Sequence, residues 1–360
     1  MSPEPEAQGL SPARIALILA GLAVLSALTY YRLGADPKEQ LGRPESIAGE
    51  TMGTTYSIKI LVPVGADFSH WELQAKSNGA LNLVDALMST YRPDSELSRF
   101  NALNSSAPLV ISHELATVLD AALRVSAQSA GAFDITVGPI VNAYGFGPDE
   151  VSALPTEPEL AALKERVGYE KLTLDLDVPT LQKSRPDLYC DLSAIAKGYA
   201  VDLLAQLLER DGISDYFIEV GGEIRARGRN PRGETWTVGI EEPHSNTRNI
   251  YKVLPLENFA MATSGDYRNF YEADGKRISH TIDARTGRPV THNLASVSVF
   301  HEQCMMADAY ATALMVLGPI DGYLMAEILD LPALFLTRNE DGTLNERVTP
   351  AYTKRFGQAP

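Results

Sequence analysis

The order of strand-like and helix-like segments constrains this chain more than any other feature of its sequence. Thr54–Val62 (TTYSIKILV) alternates like a half-buried strand, and Tyr216–Arg227, Thr235–Glu241, Leu254–Ala262, Ser279–Ile282 and Ala295–Phe300 also read as strands. Lys171–Asp177 and Thr180–Gln182 resemble a hairpin around Val178–Pro179. Helical periodicity falls at Trp71–Thr90, His113–Ser129 (closed by Gly131), Leu160–Val167, Ala194–Glu209 and Ala307–Leu317 (closed by Gly318). These segments do not follow the βαβ rhythm of a doubly wound sheet, so the expected class is α+β. No Gly-x-Gly-x-x-Gly follows a strand, which excludes a dinucleotide bound in the Rossmann manner.

The amino terminus has a different character. Ile15–Tyr31 is 17 residues without a charge, bounded by Arg14 and Arg32. As a helix it would span roughly 25 Å, slightly short of a ~30 Å hydrocarbon core. No cysteine follows the run and no small-x-small cleavage site is evident, so it reads as an uncleaved signal-anchor. One base precedes the run and two follow, and these charges do not fix its orientation. The expected organisation is a tail at 1–14, an anchor at 15–31, a linker at 32–48, one large unit at 49–345 and a C-terminal tail at 346–360.

The net charge is −15. Residues 1–44 carry four acids and four bases, so the globular part holds all of that excess. Such a surface repels phosphate backbones and argues against nucleic acid as a partner. Any bound anion would need local help from a metal, a lysine or backbone amides. The two cysteines, Cys190 and Cys304, form no metal or redox motif; one bridge between them in an oxidising compartment is the alternative to two buried free thiols, which fit better.

Four segments carry potential chemistry. In Asp191-Leu-Ser-Ala-Ile-Ala-Lys197-Gly198 a strand turns into a helix whose free N–H groups suit a pyrophosphate, with Lys197 in reach of it. Taken alone, Ser193 as an N-cap and Lys197 as a solvated lysine fit that segment better. In Ala307-Asp308-Ala309-Tyr310-Ala311-Thr312, Asp308 and Thr312 stand i, i+4 on one helix face, a sparse Mg²⁺ donor pair or an ordinary helix start. His280 precedes the tight turn Asp283-Ala-Arg-Thr-Gly-Arg-Pro289, where Gly287 supplies positive φ, and is either a general base or, as single histidines more often are, structural. Gly221-Gly222, Ala132-Phe133-Asp134 and Tyr91-Arg92-Pro93-Asp94 mix glycine or aromatic residues with polar groups, which suits a flat ring but also occurs in ordinary turns.

Taken in order, these blocks resemble the ApbE-type FAD:protein FMN transferases. The matching run includes Met52-Gly-Thr-Thr-Tyr56, Tyr91 to Asn101, Gly131 to Pro139, Asp191 to Gly198 and Val220-Gly-Gly-Glu-Ile224. It continues through Ala262 to Tyr267, His280-Thr-Ile-Asp283, Thr286 to Pro289 and Ala307 to Thr312, so that the resemblance covers roughly residues 48–345.

The resemblance implies a single α+β catalytic unit with a deep FAD cleft behind the membrane anchor. FAD, as substrate, would contact Met52, Tyr91, Ala132, Phe133, Asp134, Asp191, Lys197 and Ile282, with Gly221 and Gly222 close by. Mg²⁺ would be held by the Ala194 carbonyl, Asp308 and Thr312. Ala311 lies near the metal, where some relatives carry a hydroxyl that this methyl cannot replace. His280 would be the base, with Asp283 orienting either His280 or the waters of the metal, and FMN would pass to a Thr or Ser hydroxyl with release of AMP. The implied partners are acceptor flavoprotein subunits of membrane electron-transfer or sodium-pumping complexes. The implied location is the bacterial inner membrane, with the catalytic unit facing the periplasm. A Mg²⁺-dependent FAD pyrophosphatase and a non-catalytic flavin-binding protein are the alternatives.

Overall fold

The computed structural model describes residues 42–147, 153–244, 249–266, 270–273 and 276–357. The uncharged run at 15–31 and the first part of the expected linker lie outside the described residues. Eight strands form one sheet whose spatial order is its chain order. They are β1 (Arg43–Thr51), β2 (Thr54–Val62), β3 (Tyr216–Val220), β4 (Glu223–Arg227), β5 (Phe259–Gly265), β6 (Leu294–His301), β7 (Ala333–Arg338) and β8 (Leu344–Val348). Every neighbouring pair is antiparallel, as expected where strands are not joined by βαβ crossovers. The α+β expectation is met.

Between β2 and β3 the chain builds helices α1 (His70–Met88), α2 (His113–Gln128) and α3 (Ala196–Arg210); α4 (Cys304–Ile328) lies between β6 and β7. Successive side chains of a strand point to opposite faces, and here both faces are covered. On β5, Ala260 and Ala262 face the helical side while Met261 faces away; on β6, Val297 and Val299 alternate with Phe300 in the same way. The helical side packs Tyr56, Ile58, Ile218 and Phe335 against Leu119, Val201 and Leu314. The other side packs Ile224, Leu334 and Leu336 against Trp236, Leu254 and Tyr352. That face is covered by the hairpin of Thr237–Glu241 with Ile250–Pro255 and by the terminal helix Pro350–Phe356.

Several boundaries differ from the sequence reading. The expected linker becomes strand from Arg43 onward, and the expected C-terminal tail supplies the end of β8 and the helix Pro350–Phe356. Tyr216–Arg227 is two strands of a hairpin, because Gly221 (φ 61°) and Gly222 (φ 106°) turn the chain back between β3 and β4. Leu254–Ala262 likewise divides between the covering hairpin and β5. Gly318 does leave helical geometry (φ 81°, ψ −172°), but Pro319 restarts a helix and α4 runs on to Ile328. Among the described residues α4 is the one helix long and apolar enough to cross a bilayer, and it lies largely buried against the sheet. Both cysteines are buried free thiols, as read from the sequence.

Candidate active site

The first two turns of α3 and α4 meet, and each helix satisfies the other's unpaired N–H groups. A helix start leaves several N–H groups without intrahelical acceptors. Neither N-cap residue, Ile195 or Gln303, has a side-chain cap. Instead Asp308 of α4 accepts the Gly198 N–H through Oδ2 (3.0 Å). Asp202 of α3 accepts the Cys304 N–H (3.0 Å) through Oδ1 and the Met305 N–H (2.9 Å) through Oδ2. Arg225 Nη1 completes the second arrangement, 2.5 Å from Asp202 Oδ1. The approach requires glycine at 198, since a Cβ there would lie 2.5 Å from the Cys304 carbonyl oxygen. Ser193 is therefore not the N-cap: it is exposed, and its N–H bonds to Asp191 Oδ1 (2.8 Å) in a turn ahead of the helix.

Lys197 extends from this junction to Glu223 Oε1 (2.9 Å), with Asp308 Oδ2 3.9 Å from its Nζ. It is a paired lysine, with its side chain 30% exposed, not a solvated one. Burial works against its charge, but Asp308 and Glu223 outweigh burial and push its pKa up. Burial pushes the Glu223 carboxyl up to about 7 despite Lys197. It raises Asp308 as well, against the pull of Lys197 and the Gly198 N–H.

Two tight turns cover the cluster. Met52 (φ 45°) and Gly53 (φ 69°) join β1 to β2, and Gly221-Gly222 joins β3 to β4 beside them. The Gly221 N–H bonds to the Thr55 carbonyl (3.0 Å). A Cβ on Gly221 would come within 2.9 Å of Thr54 Cγ2 and 3.2 Å of Lys197 Cδ. Asp308 and Thr312 lie one turn apart on α4, the first buried and the second half-buried, with Ala311 buried beside them. Ala194 is half-buried two residues before α3.

The other expected residues lie in separate groups. His280 follows the strand Lys276–Ser279, and its ring meets Phe146 edge-on with centroids 6.1 Å apart. Phe146 also packs on Tyr271 (5.3 Å), whose hydroxyl donates to the Tyr144 carbonyl (2.8 Å). Both Asp283 oxygens are engaged by Arg285. Its Oδ1 accepts from the Arg285 N–H and Nε (2.9 Å each), and its Oδ2 accepts from Arg285 Nη2 (2.8 Å). The Asp283 carbonyl accepts the Gly287 N–H (2.7 Å), and Gly287 has the expected positive φ of 72°. This carboxylate shapes the turn.

Ala132, Phe133 and Asp134 are buried. Asp134 Oδ1 accepts from the Thr136 N–H (2.8 Å) and hydroxyl (2.6 Å), and Oδ2 from the Tyr169 N–H (2.8 Å). Burial raises its pKa, partly offset by those bonds. The loop meets the entry to α3 where the Asp191 N–H bonds to the Ile135 carbonyl (2.7 Å). Ile282 is buried with Ile140, Tyr144 and Leu160, and Tyr91 is 68% exposed. A cavity of about 650 Å³ lies elsewhere, lined by Lys59, Phe217, Arg232 and Trp236 among others, and none of the expected flavin contacts lines it. Sequence reasoning assigned no role to Glu223 or Asp202. Glu223 stood inside a quoted block, and an acid directly after a Gly-Gly turn was its only signal.

Sequence and overall fold both match a known family. Its sequence profile, described as the ApbE family, matches residues 52–335, and the chain belongs to that family. Among curated relatives it is 43% identical to an FAD:protein FMN transferase of Vibrio cholerae, over 89% of this chain and 94% of that protein. A protein of the same description from Escherichia coli K12 is 41% identical, over 83% of this chain and 86% of its own length. Among solved structures, the flavin transferase ApbE of Vibrio cholerae aligns with a TM-score of 0.80 at 42% identity, covering 87% of this chain and all of that one. The apo flavinyl transferase ApbE of Pseudomonas stutzeri aligns at 0.81 with 36% identity, over 88% of this chain and 98% of its own.

Proposed function

We propose that this chain is an FAD:protein FMN transferase, an enzyme that divides FAD at its pyrophosphate and joins the FMN half to a Ser or Thr hydroxyl of an acceptor flavoprotein. The observation that carries this reading is the junction of α3 and α4, where Lys197, Glu223 and Asp308 form a buried cluster in an ApbE-family chain.

The residues present fit a hard cation. Asp308, the Thr312 hydroxyl and the Ala194 carbonyl are all oxygen donors, the set Mg²⁺ prefers, whereas sulfur or imidazole would point to another metal. The buried Glu223 Oε2 also lacks any hydrogen-bond partner, a sign that the cluster awaits a further polar group. Ala311 offers no side-chain donor, so the coordination would be completed by water or substrate oxygens. When bound, Mg²⁺ supplies positive charge that offsets the charge gathering on the pyrophosphate.

Lys197 adds a second cation at the same place, fixed in position before the reaction by Glu223. His280 takes the proton of the acceptor hydroxyl as its oxygen attacks the FMN phosphorus. The bond from that phosphorus to the AMP oxygen breaks, and AMP leaves with the displaced oxygen. The flavin and adenine groups would lie along Met52, Tyr91, Ala132–Asp134, Asp191, Gly221-Gly222 and Ile282, in the cleft expected for FAD. Because Asp134 engages Thr136 through one oxygen and the distant Tyr169 N–H through the other, its contribution is to shape its loop and tie it to the segment at Tyr169. Asp283 acts through the turn that follows His280. We place the enzyme on the periplasmic side of a bacterial inner membrane, held by residues 15–31. There it would meet acceptor subunits of membrane electron-transfer or sodium-pumping complexes.

The test is incubation with FAD, Mg²⁺ and an acceptor domain, read by intact mass. A soluble form should begin before Arg43, since a start at Gly49 would remove most of β1. An FMN-sized mass gain on the acceptor, abolished by EDTA, is the expected result. FMN and AMP released from FAD without acceptor modification would replace the transferase by a pyrophosphatase. FAD left intact under every condition would leave a binding protein.

A further inference from the structure

Glu223 opens β4 directly after the Gly221-Gly222 turn and is 5% exposed. Its Oε1 holds the Lys197 ammonium at 2.9 Å, and its Oε2 is buried without a hydrogen-bond partner. Among the described residues it is the one carboxylate with such an orphaned atom; the others belong to Ser77, Asn142, His292 and Ser296. A buried acceptor without a partner carries a desolvation penalty, so its retention calls for a reason. The distances supply one. Lys197 Nζ lies 1 Å nearer to Glu223 than to Asp308, at 2.9 Å against 3.9 Å. If the ammonium moved onto Asp308, it would occupy with its own charge the carboxylate that a divalent cation needs.

We propose that Glu223 is a positioning residue that holds Lys197 off Asp308 and so keeps that carboxylate open to a divalent cation. The inference rests on the reading of Asp308 as a cation ligand. Glu223 need not touch the cation or FAD: it acts by binding the competitor. The consequence is a specific coupling. A neutral amide at 223 frees Lys197 to pair with Asp308, and cation affinity falls. Once Lys197 itself is gone, no competitor remains and the residue at 223 ceases to matter.

The experiment is a titration of Mn²⁺ alone into the full-length chain, with free Mn²⁺ read by electron paramagnetic resonance. It compares wild type, Glu223→Gln, Lys197→Met and the double variant. Glu223→Gln is expected to weaken Mn²⁺ binding by about 10- to 100-fold, as changes beside a metal's direct ligands do. Lys197→Met should bind at least as tightly as wild type. In the Lys197→Met background, Glu223→Gln should change affinity by less than about twofold, the scatter of independent sites. Recovery of binding in the double variant also shows that the Gln substitution has not unfolded the site. Equal loss in both backgrounds, or no loss in either, would overturn the positioning role while leaving Asp308 as a ligand. Absence of Mn²⁺ binding in wild type would remove the cation reading of Asp308, and this inference with it.

Discussion

The junction of α3 and α4 and the turn after His280 both carry residues of the proposed reaction, yet they are built in opposite ways. At the junction the contacts join positions more than a hundred residues apart: Gly198 to Asp308, and Cys304 and Met305 to Asp202. Both carboxylates are buried; Asp202 is held by two backbone N–H groups of the other helix and Asp308 by one. At the turn the contacts are local, Asp283 with Arg285 two residues on and with Gly287, and the Arg285 side chain is 40% exposed. A seat for phosphate and a cation must be rigid before they arrive, because its value lies in charges that need not reorganise. A base that meets the hydroxyl of a separate protein needs access instead. The difference is one of task.

That contrast predicts where damage falls. The largest effect should come from His280→Gly, which removes the base and leaves the junction intact. Transfer to the acceptor should slow by about a hundred- to ten-thousandfold. FAD and Mn²⁺ affinity, measured by calorimetry, should stay as in wild type. A parallel loss of FAD affinity would mean that the two regions are not separable.

The next two effects belong to the junction and should appear as stability. Asp202→Ala leaves Arg225 with only the more distant Glu209 (4.0 Å) and two helix N–H groups without acceptors, at a cost of about 3 kcal/mol. Urea unfolding should show the midpoint falling with an unchanged slope. A loss under about 1 kcal/mol would show that the reciprocal capping is not what joins the helices. Gly198→Ala follows, because its Cβ meets the Cys304 carbonyl at 2.5 Å and backbone must shift. Its expected cost is about 1–3 kcal/mol.

The same contrast governs what could be read from the sequence. Thr54–Val62 and His113–Ser129 were legible because burial on one face imposes a period on their apolar residues. Three strands of the sheet were missed: Ala333–Arg338 is interior, and its buried start is a short apolar run without alternation, whereas Arg43–Thr51 and Leu344–Val348 are the two edge strands. These two edges are exposed or half-buried apart from Ile47, so little apolar alternation marks them. The turn chemistry of Gly287 was legible because a positive φ is a local demand. Glu223 and Asp202 were not, since the lysine and helix start that give them meaning lie 26 and 102 positions away. His280 and Lys197 were singled out from their own segments and given their roles by the family resemblance, and only the fold shows that Lys197 is paired.

The smallest effect is the most discriminating, and it concerns Asp283. As the orienter of His280, this carboxylate would be part of the proton path, and Asp283→Asn should then approach the loss seen for His280→Gly. The geometry gives it another occupation: both oxygens engage Arg285, and its carbonyl closes the turn at Gly287. Asn keeps an acceptor for the Arg285 N–H and gives up a partly exposed ion pair. The change should cost under about 1 kcal/mol in unfolding. Transfer should slow by no more than about threefold, because a positioned turn loses only part of its grip. Initial rates with a Ser- or Thr-bearing acceptor, measured across pH 6–9, separate the cases. An unchanged pH profile with a small uniform drop leaves Asp283 as a builder of the turn. A shifted profile with a hundredfold loss would return it to the proton path, and would show that the accessible region is as tightly organised around its base as the junction is around its charges.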